Sequence, residues 1–331
     1  PLTTVTAEES HWSFVPPQRP SLPLIKNTHW CQTPVDYFVL QRQQQRRLKP
    51  SLQAPRDVLI RRASMDLTGL PPTRQQVESF QNDKQPGAWN RVIERLLASP
   101  RYGERWGRHW LDLARYADSN GFEFDFVRPH AWHYRDYVIA SFNQDKPYDT
   151  FVREQLAGDE INRDDFSSWV ATGFCRNGPT VGNQTLEKNR YEELHDVISV
   201  TSEVFLGLTV GCARCHDHKF DPIPQRDYYR MQAFFEPLLP RDSMPVGTVA
   251  QRTRFFEKHK AWAAATEDIR RQLHAIEKPA LLKSTTGEVF NKFIDKIKTM
   301  ILKRPEQRTV YERQIAELSE RQFGVEPEKL A

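Results

Sequence analysis

Between Thr33 and Pro100 the chain marks helix starts and stops in close succession, and this punctuation constrains the fold more than any other feature. In "TPVDYFVLQRQQQRRL", Thr33 suits an N-cap and Pro34 fits the first helical position, where a missing N–H costs nothing. Asp36 lies in the first turn, which favours negative charge. "DVLIRRASMDLTGLPPTRQQVESF" predicts a helix ending near Gly69, a turn at Pro71-Pro72 and a second helix from Thr73. "AWNRVIERLLASP" predicts a third, stopped at Pro100. Next, in "YGERWGRHWLDLARYADSNG", the residues Trp106, His109, Trp110, Leu113 and Tyr116 recur at helical spacing, with Arg105, Arg108 and Asp112 off that face. His109 is therefore expected to point inward with the tryptophans. Further helices are expected over "HAWHYRDYVIASFNQ", "DTFVREQLAG" and "NRYEELHDVISVTSEVFLGLTV". Strand signals are few, so the expected class is mainly α, an irregular multi-helix domain.

The two ends differ from this body. "HWSFVPPQRPSLPLIKNTHW" has four prolines and no helical period, and predicts an extended Pro/Trp-rich N-terminal arm over residues 1–32. From Arg252 onward, charged amphipathic helices separated by Pro279 and Pro305 replace the aromatic-rich texture. A boundary is placed near Arg241, giving a helical domain over 33–240 and a charged, coiled-coil-like tail over 241–331. Such a tail pairs as a helical hairpin or docks a partner subunit or domain, or else is a solvated appendage. At 331 residues the chain can bury a sizeable core without staples, and 8 Trp, 19 Phe and 10 Tyr offset a hydrophobic content of only 38%. The net charge of +4 is spread along the chain, which implies no nucleic-acid partner. No run of about 18 apolar residues predicts a membrane span.

One stretch carries chemistry: "GCARCHDHKFDPIPQRDYY", from Gly211 to Tyr229. Cys212, Cys215 and His216 have the C-x-x-C-H spacing of covalent haem c attachment, in which two thiols add to the haem vinyl groups and the histidine becomes the proximal iron ligand. Three other readings compete. A zinc knuckle needs a second ligand pair, whereas Cys31 and Cys175 are isolated. A thioredoxin-like pair belongs after a strand, whereas this one follows a long helix. A structural disulfide is the third. With one haem c, the protein is expected to be periplasmic or otherwise exported. The opening "PLTTVTAEES" lacks the features of a signal peptide, so residue 1 is then not the initiator.

The rest of the motif and the sixth iron ligand follow from position. His218 is too close in sequence to reach the opposite haem face and is expected to hydrogen-bond the haem edge or a carboxylate. Lys219 is available to a propionate, and Asp221 is a candidate cap for a helix starting near Pro224. His109 is the leading distal candidate, with His195, Met231, Met65 and Met244 behind it. His130 and His133, flanking Trp132, are candidates for a pocket rim. Asp118, Asn120, Glu123 and Asp125 form an acidic loop that suits a cation or sugar hydroxyls, or is only a solvated turn.

The segments "HWSFVPP", "DLTGLPPT", "LLASPRYGERWGRHWLDLARYADSNG", "YRDYVIASFNQDKPYDTFVREQLAGD" and "VFLGLTVGC" with the motif after it resemble the planctomycete-type cytochrome c-associated domain family over about His11 to Phe235. That resemblance implies an exported, haem-binding protein and gives no reaction. The family usually carries an aspartate where this chain has His195. Its domain often follows a small cytochrome c domain and precedes another uncharacterised domain. Neither is found here and the region from Arg252 looks like a linker, so a fragment or processed piece is expected. Three functions follow. The first is an exported monohaem cytochrome exchanging electrons with a redox partner protein. The second is a peroxidase-like or substrate-oxidising haem enzyme with an open distal site. The third is a structural or carbohydrate-associated module in which haem stabilises the fold.

Overall fold

The computed structural model of the protein describes residues 15–121, 125–162, 165–180, 186–239, 248–283 and 287–320. The expected N-terminal arm falls partly outside them, as do Glu123, Met244 and the boundary at Arg241. The chain divides into two compact units, Pro1–Leu59 and Ile60–Ala331. In the first, an irregular Pro-rich segment leads through a 3-10 turn at Thr28–Trp30 to helix α1 (Pro34–Gln45). Its start is as predicted: the Thr33 amide donates to Asp36 Oδ2 at 2.7 Å, with Pro34 in the first turn. Gln44 Nε2 donates to the Lys26 carbonyl at 2.7 Å and ties the segment to α1.

Helix α2 (Arg56–Thr68) runs from the first unit into the second and ends at Gly69, whose φ of +72° suits glycine. Helix α3 (Arg74–Asn82) starts on a Thr73–Gln76 capping box. Helix α4 (Ala88–Leu97) ends before Pro100, but Pro100 is not merely a stop. Ser99 caps a new helix with Pro100 in its first turn, α5 (Pro100–Leu113). Then follow α6 (Trp132–Asn143), α7 (Tyr148–Ile161), α8 (Phe166–Ala171), α9 (Leu186–Thr201) and α10 (Gln225–Phe235). Among the described residues there are no strands, only an isolated bridge between Ser119 and Val127.

The sequence is right about Trp110, which is buried, and wrong about the rest of the expected inward face of α5. Trp106 and Leu113 are 38% and 53% exposed, and His109 is exposed with its ring on Trp106 at 5.6 Å. The buried side is Gly103, Gly107, Trp110 and Ala114, and at Gly103 α6 approaches too closely for a side chain. A Cβ on Gly103 would lie 2.4 Å from the Ile139 carbonyl oxygen, and the Gly103 amide donates to Asn143 Oδ1 at 2.8 Å. Gly103→Ala is expected to push α5 from α6 and cost about 1–3 kcal/mol in a denaturant titration. Below this contact lies an aromatic core. Trp110 meets Phe151 at 4.8 Å and Phe205 at 5.8 Å, and its indole N–H donates to Gln155 Oε1 at 2.8 Å.

The C-terminal part consists of α11 (Val249–Ala265), α12 (Glu267–Lys283), α13 (Gly287–Lys292), α14 (Asp295–Leu302) and α15 (Val310–Glu320). Pro279 does not separate helices, since α12 continues through it to Lys283, whereas Pro305 opens a 3-10 turn between α14 and α15. Residues 287–320 form a core of Phe290, Phe293, Ile297, Met300, Ile301 and Ile315 within the second unit. They are joined to α9 by polar contacts: Arg190 Nε donates to Gln314 Oε1 at 2.6 Å, and Lys296 pairs with Glu187 at 3.1 Å. Their charged faces hid this because the apolar residues fall on short separate helices.

Candidate functional site

Helix α9 delivers the chain to the cysteine motif. After Thr201 it widens into a π-helical turn, Ser202–Leu206, and Gly207 reverses the chain at φ +66°. A 3-10 turn, Val210–Arg214, follows. In such a turn residues three apart share a side. Val210 and Ala213 are accordingly buried with Ile198 and Tyr228, while Cys212 and Cys215 are exposed and unlinked. Gly211 allows this docking: a Cβ there would lie 2.7 Å from Ser199 Oγ and 3.3 Å from His195 Cε1.

The turn is held from both sides. Arg214 makes two bonds of 2.9 Å to the carboxylate of Glu192 on α9. Its carbonyl accepts from Gln225 Nε2 at 3.0 Å and from the Tyr229 hydroxyl at 3.1 Å, both on α10. None of these partners stood out in the sequence, because each pairing spans 11 to 22 positions.

His216 is exposed, with Nδ1 2.7 Å from the Asp217 carbonyl oxygen. A carbonyl only accepts, so Nδ1 carries a proton, and in the neutral ring the lone pair is then on Nε2, the arrangement a metal-ligating imidazole requires. His218 is spent on structure. Its Nδ1 accepts from the amides of Asp221 at 2.8 Å and Phe220 at 3.3 Å. Its Nε2 then bears the proton and donates to Thr209 Oγ1 at 3.1 Å. The Asp221 carboxylate, 3.4 Å from Nδ1, therefore faces a neutral ring rather than an imidazolium. The helix cap also differs from expectation. Asp217, not Asp221, takes the Gln225 amide at 2.7 Å to start α10. Lys219 lies 5.1 Å over the ring of Phe220, which is 83% exposed.

The distal candidates lie in different surroundings. His109 does not point inward, as described above. His195 is half-buried behind Gly211, its Nδ1 2.9 Å from the Tyr228 hydroxyl, and burial with nearby Arg214 holds its pKa below the usual histidine value. Burial raises the Tyr228 hydroxyl to about 12. Met231 packs against the Tyr228 cluster, and Met65 is exposed. Cys175 is a buried free thiol raised to about 12 by burial, and Cys31 is also free. Among the described residues no group of three or more His, Cys, Asp or Glu is arranged to hold a metal ion, including the acidic loop. In that loop Asp118 accepts from the Tyr116 hydroxyl at 2.6 Å, and Asp125 from the Gly121 amide at 2.9 Å. Asn120 accepts from Arg128 Nε at 2.7 Å, and the same guanidinium donates to the carbonyls of Asn177 and Gly178 at 3.0 and 2.7 Å.

A second feature was not anticipated: a cavity of about 2030 Å³ within the second unit, bordered by α7, α8 and α10. His130 and His133 both line it, as expected of a pocket rim. Cys212, Cys215 and His216 do not. His133 stacks on Trp132 at 3.7 Å and meets the edge of Phe166 at 5.5 Å. Burial, and then the neighbouring His130, lower its pKa, while Asp136 opposes them. The unfolded chain takes up this proton near pH 6.5 and the folded chain only at lower pH, so stability falls as pH drops below about 6.5. His133→Gln is expected to flatten that loss between about pH 7 and 5 in chemical denaturation.

Among the described residues no helix is long and apolar enough to cross a membrane. No curated protein matches the chain. No solved structure matches it either. A family described as "PSCyt2: Protein of unknown function (DUF1549)" matches residues 34–239, which take in α1 to α10 and the whole cysteine turn. By that match, covering more than half of its length, the chain belongs to the PSCyt2 family.

Proposed function

We propose that Cys212, Cys215 and His216 hold one covalent haem c and that the protein is an exported single-haem cytochrome. The observation that carries this reading is that two free, exposed thiols, one within the 3-10 turn and one just after it, stand beside an exposed imidazole whose Nδ1 is engaged by a carbonyl. This donor set fits the group: two thiols for two thioethers and one neutral nitrogen for the iron. When bound, haem c supplies one-electron exchange between ferric and ferrous iron. The chain's own part is to hold the ligand. The Asp217 carbonyl fixes the His216 tautomer, His218 ties Thr209 to the Phe220 and Asp221 amides, and Arg214 with Glu192 fastens the turn to α9.

Export follows from the same reading, because thioether attachment takes place outside the cytoplasm. Electron transfer needs a redox partner protein. A partner subunit is proposed on α11 and α12, where Phe255, Trp262 and Ile269 are 49%, 53% and 65% exposed.

A haem enzyme with an open sixth position is the second reading, favoured by one observation. His218, the histidine nearest the motif in sequence, has both ring nitrogens committed, and His109 is exposed on Trp106. Carbon monoxide added to the reduced protein separates the two. An unchanged spectrum is expected for an electron carrier with two strong axial ligands, and a shifted one for an open site.

A further inference from the structure

The cavity between α7, α8 and α10 has a chemistry of its own. At about 2030 Å³ it exceeds the roughly 300–1,000 Å³ of ordinary small-molecule pockets, so its ligand is elongated. Its wall presents flat rings, among them Tyr148, Phe166, Trp169 and Phe205, beside planar polar groups such as Asp149 and Arg153. A sugar ring needs this combination. Its C–H face lies on an aromatic surface, and its neighbouring hydroxyls take paired bonds from carboxylates, guanidinium groups and amides.

Charge narrows the class. Arg128, Arg153 and Arg176 line the cavity against Asp149, Asp159, Glu160 and Glu317. Arg128 is engaged by Asn120 and two carbonyls, and Arg153 pairs with Asp149. Three guanidinium groups against four carboxylates leave an excess of only one negative charge, which disfavours a polyanion and is too small to draw a polycation.

One further observation points to a ligand. Asn177 and Thr201 line the cavity, are only 7% and 4% exposed, and leave Asn177 Nδ2 and Thr201 Oγ1 without a hydrogen-bond partner. Buried polar atoms in this state are costly unless a ligand hydroxyl, or water ordered by one, completes them. On the same wall, α7 breaks its helical geometry at Ala157 (φ −149°, ψ 30°), next to Gly158, whose Cβ would lie 1.9 Å from the Ser168 carbonyl oxygen. The kink carries Asp159 and Glu160, adjacent residues that both line the cavity.

We propose that this cavity binds a neutral oligosaccharide, with Tyr148 and Trp169 as stacking platforms and Asn177 as a buried hydrogen-bond donor. The site is separate from the haem reading, since none of Cys212, Cys215 and His216 lines it. Isothermal calorimetry of the full chain with cellohexaose, chitohexaose, mannohexaose and a heparin hexasaccharide tests it. Saturable binding of at least one neutral hexasaccharide and none of the heparin fragment is expected. Trp169→Ala is expected to weaken binding at least tenfold. So is Tyr148→Ala, at a side chain 60% exposed whose loss spares the fold. Failure of all three neutral sugars, tighter binding of heparin, or binding indifferent to Tyr148→Ala would overturn the proposal.

Discussion

Produced with export and c-type maturation, a chain in which both Cys212 and Cys215 are alanine is expected to retain no haem after denaturation. The parent is expected to gain the mass of one haem. The effect is all or none because the two exposed thiols are the anchors proposed, while Cys175 is buried and Cys31 lies in the other unit. The fold is expected to survive, since the side of the turn that packs is Val210 and Ala213. His216→Ala makes the complementary change: covalent attachment is retained and the proximal nitrogen is lost, which an absorption spectrum reads as a change of spin state. Retention of covalent haem by the double alanine variant would remove the assignment of the anchors.

The largest effect on stability is expected from Trp110→Ala, at about 3–5 kcal/mol in denaturant unfolding. Trp110 is 8% exposed and packs among Phe151, Phe174 and Phe205. It also closes a buried triangle: the indole N–H reaches Tyr134 Oη at 3.2 Å and Gln155 Oε1 at 2.8 Å, and the Tyr134 hydroxyl donates to the same Gln155 oxygen at 2.6 Å. Gln155 is fully buried, so losing the indole leaves its amide short of a donor as well as opening a void. Trp110→Phe separates the two contributions by keeping a ring while removing the N–H, and about 1–3 kcal/mol is expected for it. Equal losses for the two variants would mean that the hydrogen-bond triangle, not the packing, dominates.

What could be read in the sequence was whatever depends on near neighbours. The Thr33 and Thr73 starts and the stop at Gly69 are set by caps and glycine conformation, which act over three or four residues. C-x-x-C-H is legible for the same reason: its spacing spans only five residues, at the end of a single 3-10 turn. What could not be read depends on partners far away in the chain. The inward side of α5 was set by how closely α6 approaches Gly103 and Gly107, so Trp106, His109 and Leu113 are on the exposed side while Trp110 stays in the core. The clamp from Arg128 to Asn177 and Gly178 spans 49 and 50 positions, and the cavity is bounded by helices with no local mark in common. The helices around α14 and α15 looked like a solvated tail because no single one carries a wide apolar stripe, yet Phe290, Phe293 and Ile315 together bury a core.

The central claim is that His216 and the two thiols around Arg214 bind haem covalently, and the most direct measurement is a reduced-minus-oxidised absorption spectrum of the purified, exported chain, taken together with its intact mass. A c-type spectrum that survives denaturation, with one haem per chain, is the predicted result. A chain of unmodified mass with no haem absorption, from cells that mature other c-type cytochromes, would contradict it.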